Sequence, residues 1–525
     1  MSWKPLILTF LALFAISYAT ETQSPPPTYH EQYRPGYHFS CPKNWMNDPV
    51  GLVYYSGVYH MFYQYNPYDI IWGNMSWGHA MSTDLVHWQN LPVAIPQDGD
   101  NMIFSGSNIV DVNNTSGFCK VPLIGCLLAF YTAANDPHEA QAVAYSNDFG
   151  LTYSQYAGNP LIDDETEMFR DPKVFWYDTG RYWVMVTAVP MRYVVKIYTS
   201  SNLLNWTHVS TFGPDGSEEG GWEDPDLYPL TDDKGNIYWV LSHAVAVNKV
   251  EYYIGTFNGT HFVNTETAGV QLFIDYGRDF CEAATFNNEP NGRRLMIAWM
   301  DEGEYGGELP TKIWRGQLTL IRELRLRRYP EGLRVVQEPL PELSALRYNA
   351  SHLDSFELNQ AQSSVVVNNT DNQMEIFAQF ALPKNTSQYP KEFGFKVFVG
   401  ANQSTTIGYK VDEKLLFTDR RNSGVVDFDA DFAGISNATL EVENDVITLR
   451  IFLDQSSVEV FANNGKIAMT NLIYPDPTQN QVEVYVDGGS VTVTCLNIWK
   501  LNSIWKNAER DIEKMKGKEF LSIRE

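Results

Sequence analysis

A chain of 525 residues is long enough for two or more domains, each with its own core. Its formal net charge of −25 excludes nucleic acid as a partner, because a phosphate backbone demands Lys and Arg; such a charge serves solubility instead. An aromatic content of 14%, with 14 Trp and 30 Tyr, argues against disorder and for strands and sugar-stacking surfaces.

The chain opens as a secreted protein does. Lys4 supplies the positive charge, Pro5 to Tyr18 is a short apolar run, and Ser17-Tyr18-Ala19 offers small residues for cleavage, so residues 1–19 read as a signal peptide. That run is too short to span a bilayer with margins, and no later stretch is long and apolar enough to be a membrane anchor. Sequons at Asn74, Asn113, Asn114, Asn205, Asn258, Asn349, Asn368, Asn385, Asn402 and Asn437 add the expectation of an extracellular glycoprotein. The cysteines Cys41, Cys119, Cys126, Cys281 and Cys495 are too few for a disulfide scaffold and odd in number; Cys119 and Cys126 could close a small loop. No CxxC pair or His-rich cluster marks a metal site.

Residues 20–36, with Gln23-Ser24-Pro25-Pro26-Pro27, read as an extended leader. From 37 to 337, short strand-like runs alternate with Gly, Pro, Asn and Asp turns, without a convincing amphipathic helix. This stretch is organised around Asn44-Trp45-Met46-Asn47-Asp48-Pro49-Val50-Gly51, whose acidic-Pro core returns as Arg170-Asp171-Pro172 and Glu223-Asp224-Pro225. Each copy leads through a turn glycine (Gly57, Gly180, Gly235) into an aromatic-rich strand candidate. A second repeat, Ser82-Thr83-Asp84-Leu85-Val86-His87-Trp88, recurs as Ser200-Ser201-Asn202-Leu203-Leu204-Asn205-Trp206 and, more loosely, from Ser146 to Tyr153. The spacing of about 50–65 residues is one four-stranded sheet with its loops, so the region reads as a five-bladed β-propeller. Residues 338–344 form a linker, and residues 345–505 change to alternating strands that read as a β-sandwich; 506–525 is a charged tail. The fold class is therefore all-β, propeller followed by sandwich.

A lone Asp-Pro most often just starts a strand. Three of them opening inner strands of separate blades, flanked by Trp and Asn, would instead bring carboxylates together at the propeller axis. The proline suits a strand's first residues at a rim, since it lacks a ladder donor. Gathered carboxylates suit acid/base and nucleophilic work on an acetal-like bond.

At this point the chain resembles the glycoside hydrolases that include invertases, exo-inulinases and levanases, over residues 37–505. The residues that carry the resemblance are Trp45-Met46-Asn47-Asp48-Pro49, Phe62-Tyr63-Gln64-Tyr65-Asn66-Pro67, Trp77-Gly78-His79-Ala80, Phe104-Ser105-Gly106-Ser107, Phe169-Arg170-Asp171-Pro172-Lys173, Trp222-Glu223, Trp314-Arg315-Gly316 and, in the second domain, Asp454-Gln455-Ser456-Ser457-Val458-Glu459-Val460-Phe461. The resemblance implies a five-bladed propeller with a β-sandwich and a retaining β-fructofuranosidase activity on sucrose or fructans. By position, Asp48 would be the nucleophile, Glu223 the acid/base, and Asp171 the group that grips fructose hydroxyls in the transition state. Asn47, Gln64, Trp72, Phe104, Ser105, Arg170 and Trp299 would line the fructose pocket. No cofactor and no metal is implied, and the partner is a small or oligomeric sugar; the sandwich would be structural or support a homodimer.

Departures from that pattern set further expectations. Val50 stands where the family has Asn, removing an amide that could orient Asp48. Asp224 stands where Cys is usual, and strand alternation would let only one of Glu223 and Asp224 face the pocket, here taken as Glu223. An ionised Asp224 nearby would hold the Glu223 proton to higher pH. Cys281 and Glu282 replace Tyr and Ala, and Gly303 replaces a Trp, so the rim reads as a changed leaving-group or acceptor site. Two other readings stand beside the hydrolase: a fructosyltransferase making oligosaccharides from sucrose, and a glycan-binding protein with an inactive site.

Overall fold

The structure, a computed structural model, describes residues 28–505 except 136, 165–167, 246–247 and 368–369. The expected signal peptide, the leader up to residue 27, the sequon at Asn368 and the charged tail lie outside the described residues.

Strand and turn follow the aromatic, β-branched runs and their punctuation. Strand Asn44–Tyr55 turns back into Val58–Asn66 through Ser56 and Gly57, both at positive φ (52° and 93°), the geometry that a two-residue hairpin turn requires. Ser76–Ser82 and Gln89–Ile95 complete this first antiparallel sheet. Three more sheets, opening on Met102–Val110, Arg170–Tyr177 and Trp222–Thr231, each take four consecutive strands in order. The fifth opens on Cys281–Thr285 and ends on Gly332–Pro339. The opening strands lie against one another in chain order, and the fifth lies against the first, so the sheets close into a five-bladed propeller. One excursion from the fifth blade lays Trp314–Arg315 parallel to Asn44–Trp45, fastening the last blade to the first.

Apolar faces fill the wedges between neighbouring blades. Val50, Phe62 and Trp77 pack with Ala129 and Tyr131 between the first and second, and Val184 and Val186 pack with Leu241 and Tyr253 between the third and fourth. Polar side chains close the axis. Lys173 Nζ donates to Asp226 (2.9 Å) and to the Thr285 carbonyl (2.7 Å), and Asn287 Nδ2 donates to the carbonyls of Asn108 (2.9 Å) and Val174 (3.0 Å). Cys119 and Cys126 form a disulfide in the second blade's loop.

Two antiparallel sheets, of seven and six strands, follow and pack face to face over an aliphatic and aromatic core. Strands Val446–Asp454 and Ser457–Ala462 pair across a turn at Gln455 and Ser456. Among the described residues no helix is long and apolar enough to cross a membrane.

Candidate active site

Each of the five inner strands carries the same irregularity near its first residues: two residues stand opposite one on the neighbouring strand. The pairs are Asn47-Asp48 opposite Gln64, Phe104-Ser105 opposite Thr132, Asp171-Pro172 opposite Thr187, Asp224-Pro225 opposite His243, and Glu282-Ala283 opposite Ala298. Such bulges bend the strand and re-aim its side chains. At Asp171, Asp224 and Glu282 the backbone is left-handed, with φ of 63°, 45° and 46°. That conformation is unfavourable for a residue with a Cβ, and its presence in three consecutive blades at one end of the axis is the kind of strain that functional sites hold.

The five bulges ring a cavity of about 340 Å³. Asp48, Asp171 and Glu223 all line it, as do Asn47, Gln64, Trp72, Phe104, Ser105, Arg170 and Trp299, together with Trp45, Asp224, Glu282, Gly303 and Gly307. The expectation that only one of Glu223 and Asp224 faces the pocket is overturned. Both do, because the left-handed bulge at Asp224 breaks strand alternation where the two acids sit. The Val50 expectation also changes: its side chain is 1% exposed, in the core with Phe62 and Trp77, and does not line the cavity. Asp48 is held by Ser105 instead, whose Oγ donates to its Oδ2 at 2.8 Å.

Hydrogen bonds between blades fix the remaining groups. Gln64 Nε2 donates to the Ile103 carbonyl at 3.0 Å, and the Asp171 N–H donates to Thr132 Oγ1 at 2.9 Å. Asp224 N–H donates to Asp171 Oδ2 at 3.0 Å. Asn47 Oδ1 accepts from Trp45 Nε1 at 2.8 Å. Behind Glu223, the buried Trp222 ring stacks on His243, 3.9 Å between centroids. Arg170 reaches Glu223 Oε1 at 2.5 Å and clasps Glu139 with two nitrogens, one of them Nε at 3.0 Å. Glu139 and Trp45 have no place in the site read from sequence. Trp45 sits inside the quoted motif, but Glu139 comes from a strand buried on both faces, His138–Ser146, and nothing local marks it.

Among the described residues, five carboxyl groups and a single cation, Arg170, line this cavity. Burial raises Asp48 to about 6, helped by the charge of Glu223 and opposed by hydrogen bonds from Ser105 and Asn47. Asp171 is pushed well above the usual carboxylate range by burial and then by Asp224, against the pull of Arg170. Asp224 is pushed well up by burial and by Glu282, to which it is hydrogen-bonded; Glu282 is pushed well up by burial and by Glu223. The direction for Asp224 thus runs against the expected ionised state, because burial and Glu282 both oppose its charge. For Arg170, burial opposes its charge, but the bonds to Glu139 and the charges of Glu223 and Asp171 outweigh it. Among the described residues no cluster of His, Cys, Asp and Glu is disposed to hold a metal ion. The arrangement brings carboxyl groups of the first, third and fourth blades, Asp48, Asp171 and Glu223, onto one cavity, with Arg170 of the third blade bonded to Glu223.

Two family models match the chain: "Glycosyl hydrolases family 32 N-terminal domain" over residues 38–339 and "Glycosyl hydrolases family 32 C terminal" over residues 342–500. A levanase of Bacillus subtilis (strain 168) is 42% identical over 513 residues, covering 95% of this chain and 75% of that protein. The crystal structure of exo-inulinase from Aspergillus awamori superposes with a TM-score of 0.85 at 34% identity, over 91% of this chain and 100% of that one. A β-fructofuranosidase from Schwanniomyces occidentalis, complexed with fructosyl-erythritol, gives a TM-score of 0.84 at 29% identity, over 90% and 98% of the two chains.

Proposed function

The chain belongs to glycosyl hydrolases family 32, and from that membership we propose that it is a secreted β-fructofuranosidase, releasing terminal β-D-fructofuranosyl units from sucrose and fructans with retention of configuration. The observation that carries this reading is that Asp48, Asp171 and Glu223, from three separate blades, line one sugar-sized cavity.

In the first step Asp48 attacks the anomeric C2 while Glu223 gives its proton to the departing oxygen. Ser105 fixes one Asp48 oxygen, so the other is presented without a search over rotamers. Arg170, tied down by Glu139, orients the Glu223 carboxyl by its short bond to Oε1. Asp171, whose Oδ2 is anchored by the Asp224 peptide, meets fructose hydroxyls that tighten as positive charge grows on the sugar ring. In the second step Glu223 takes a proton from water, and that water releases fructose from Asp48.

Secretion is supported by the exposure of the sequon residues Asn74, Asn113, Asn205, Asn258, Asn349, Asn385, Asn402 and Asn437, and by relatives named as extracellular exo-inulinases. Incubation with concentrated sucrose tests the whole reading. Equal glucose and fructose, abolished in Asp48→Asn and Glu223→Gln, are expected for hydrolysis. Excess glucose with longer oligosaccharides would mean transfer to a sugar hydroxyl, and no release would leave binding alone.

A further inference from the structure

The loop joining Val58–Asn66 to Ser76–Ser82 holds three large apolar side chains out in solvent: Tyr68, Ile71 and Trp72 are 73%, 54% and 52% exposed. Of the four exposed large aromatic side chains among the described residues, Tyr68, Trp72, Phe149 and Tyr348, the two most open share this loop. Of these two, Trp72 already lines the cavity, edge-on to Phe104 at 6.0 Å, so the apolar strip is continuous with the pocket mouth.

The loop is not free to fold its side chains away. Asn66, 1% exposed, accepts from the Tyr68 N–H at 3.0 Å and donates to the Ile71 carbonyl at 2.8 Å. Asn44 Nδ2 donates to the Pro67 carbonyl at 2.6 Å, and the N–H of Trp45, itself a cavity residue, donates to the Asp69 carbonyl at 2.9 Å. A backbone fixed at four points, presenting apolar faces beside a ligand cavity, is pre-organised for contact. A cavity of about 340 Å³ is at the small end of ligand pockets, so a chain of sugars seated in it must leave over its mouth. Sugar rings carry apolar C–H faces, which aromatic and aliphatic side chains cover while leaving the hydroxyls wet.

We infer that Tyr68 and Ile71 form a platform for the sugar units of a fructan chain beyond the bond that is cut, extending the Trp72 edge of the pocket. The inference rests on the β-fructofuranosidase reading. It makes polymer recognition separable from chemistry: sucrose ends before the platform and a fructan crosses it.

The test compares wild-type protein with Tyr68→Ala/Ile71→Ala on sucrose, inulin and levan, with folding checked by the melting temperature. The double variant is expected to lose about tenfold in kcat/KM on inulin, levan or both, mainly through KM, while sucrose changes less than about twofold. A loss on one polymer alone identifies the linkage that runs over the loop. An equal loss on sucrose and polymer, or no loss on either polymer, overturns the platform while leaving the enzyme assignment intact. Wild-type protein that frees no fructose from any of the three overturns the assignment, and the platform with it.

Discussion

Ser105 and Glu139 show how single side chains set the working state of Asp48 and Arg170. Because Asp48 is raised to about 6, the carboxylate that the proposed mechanism uses as nucleophile is lost as pH falls through that value, so kcat/KM should drop on the acid side near pH 6. The Ser105 bond favours the charged form, so Ser105→Ala should move that acid limb toward neutral pH; a pH–rate profile whose limb stays in place would refute the assignment. Glu139→Gln removes the carboxylate that clasps Arg170 from behind, and kcat/KM on sucrose should fall about 10- to 100-fold with the fold retained, measured by initial rates. The second acid pair carries a cost in stability. Asp224 and Glu282 both have folded-state affinities for protons raised well above the unfolded chain, so the stability they contribute is present at low pH and lost as pH rises. Glu282→Gln should therefore raise the melting temperature at about pH 8 and leave it nearly unchanged at about pH 4, as read by calorimetry.

At the scale of elements, both sequence repeats have physical causes. The Ser-x-Asp/Asn-Leu repeat is the turn between the third and fourth strands of the first three blades. Ser82, Ser200 and Ser146 each accept a backbone N–H, from Leu85 (2.9 Å), Leu203 (2.9 Å) and Gly150 (2.9 Å). Leu85, Leu203 and Phe149 share a left-handed φ of 65°, 65° and 63°. These hydroxyls hold the strained turn closed, so Ser200→Ala should cost about 1–2 kcal/mol by denaturant unfolding. The acidic-Pro repeat marks the bulges, with Pro172 and Pro225 standing where the ladder needs no donor. The second and fifth blades have the same bulge without the motif, as Phe104-Ser105 and Glu282-Ala283. A pattern search by sequence finds three of the five, because a bulge is a mismatch between two strands and only a proline prints it on one of them.

Across the whole molecule, the sandwich is locked to the propeller by buried charge. The second domain's Asp454 accepts from the N–H groups of Gly36 (2.7 Å) and Tyr37 (3.0 Å) and from His38 Nδ1 (2.8 Å), while Glu459 receives His38 Nε2 (2.9 Å) and Arg322 (2.5 Å). Arg322 also meets Asp275 at 2.9 Å, and all these side chains are nearly or fully buried. Arg322→Ala would take the cation from the buried Asp275 and leave Glu459 with His38 alone, and should cost about 3–5 kcal/mol. His38 is raised to about 9: burial opposes its charge, and the bonds to Asp454 and Glu459 outweigh that. Its contribution is full below the unfolded value near 6.5 and is lost as pH climbs through about 9. Wild-type melting temperature should fall over that interval, and His38→Gln should flatten the decline.

The sequence by itself determined the all-β class, the propeller-then-sandwich order, and the ten residues expected in the pocket, all of which line the cavity. Class and domain order are legible because aromatic strands and turn residues act over a few neighbours and recur at blade spacing; the ten pocket residues are what the family resemblance implies, read by position from its motifs. Only the tertiary structure decided that Glu223 and Asp224 face the same way, that Val50 belongs to the core, and that Glu139 stands behind Arg170. It also made the motif from Asp454 to Phe461 the clasp between domains. Each of those depends on a partner remote in sequence, a bulge's opposing strand or a neighbouring blade or domain, and no local pattern encodes where such a partner lies.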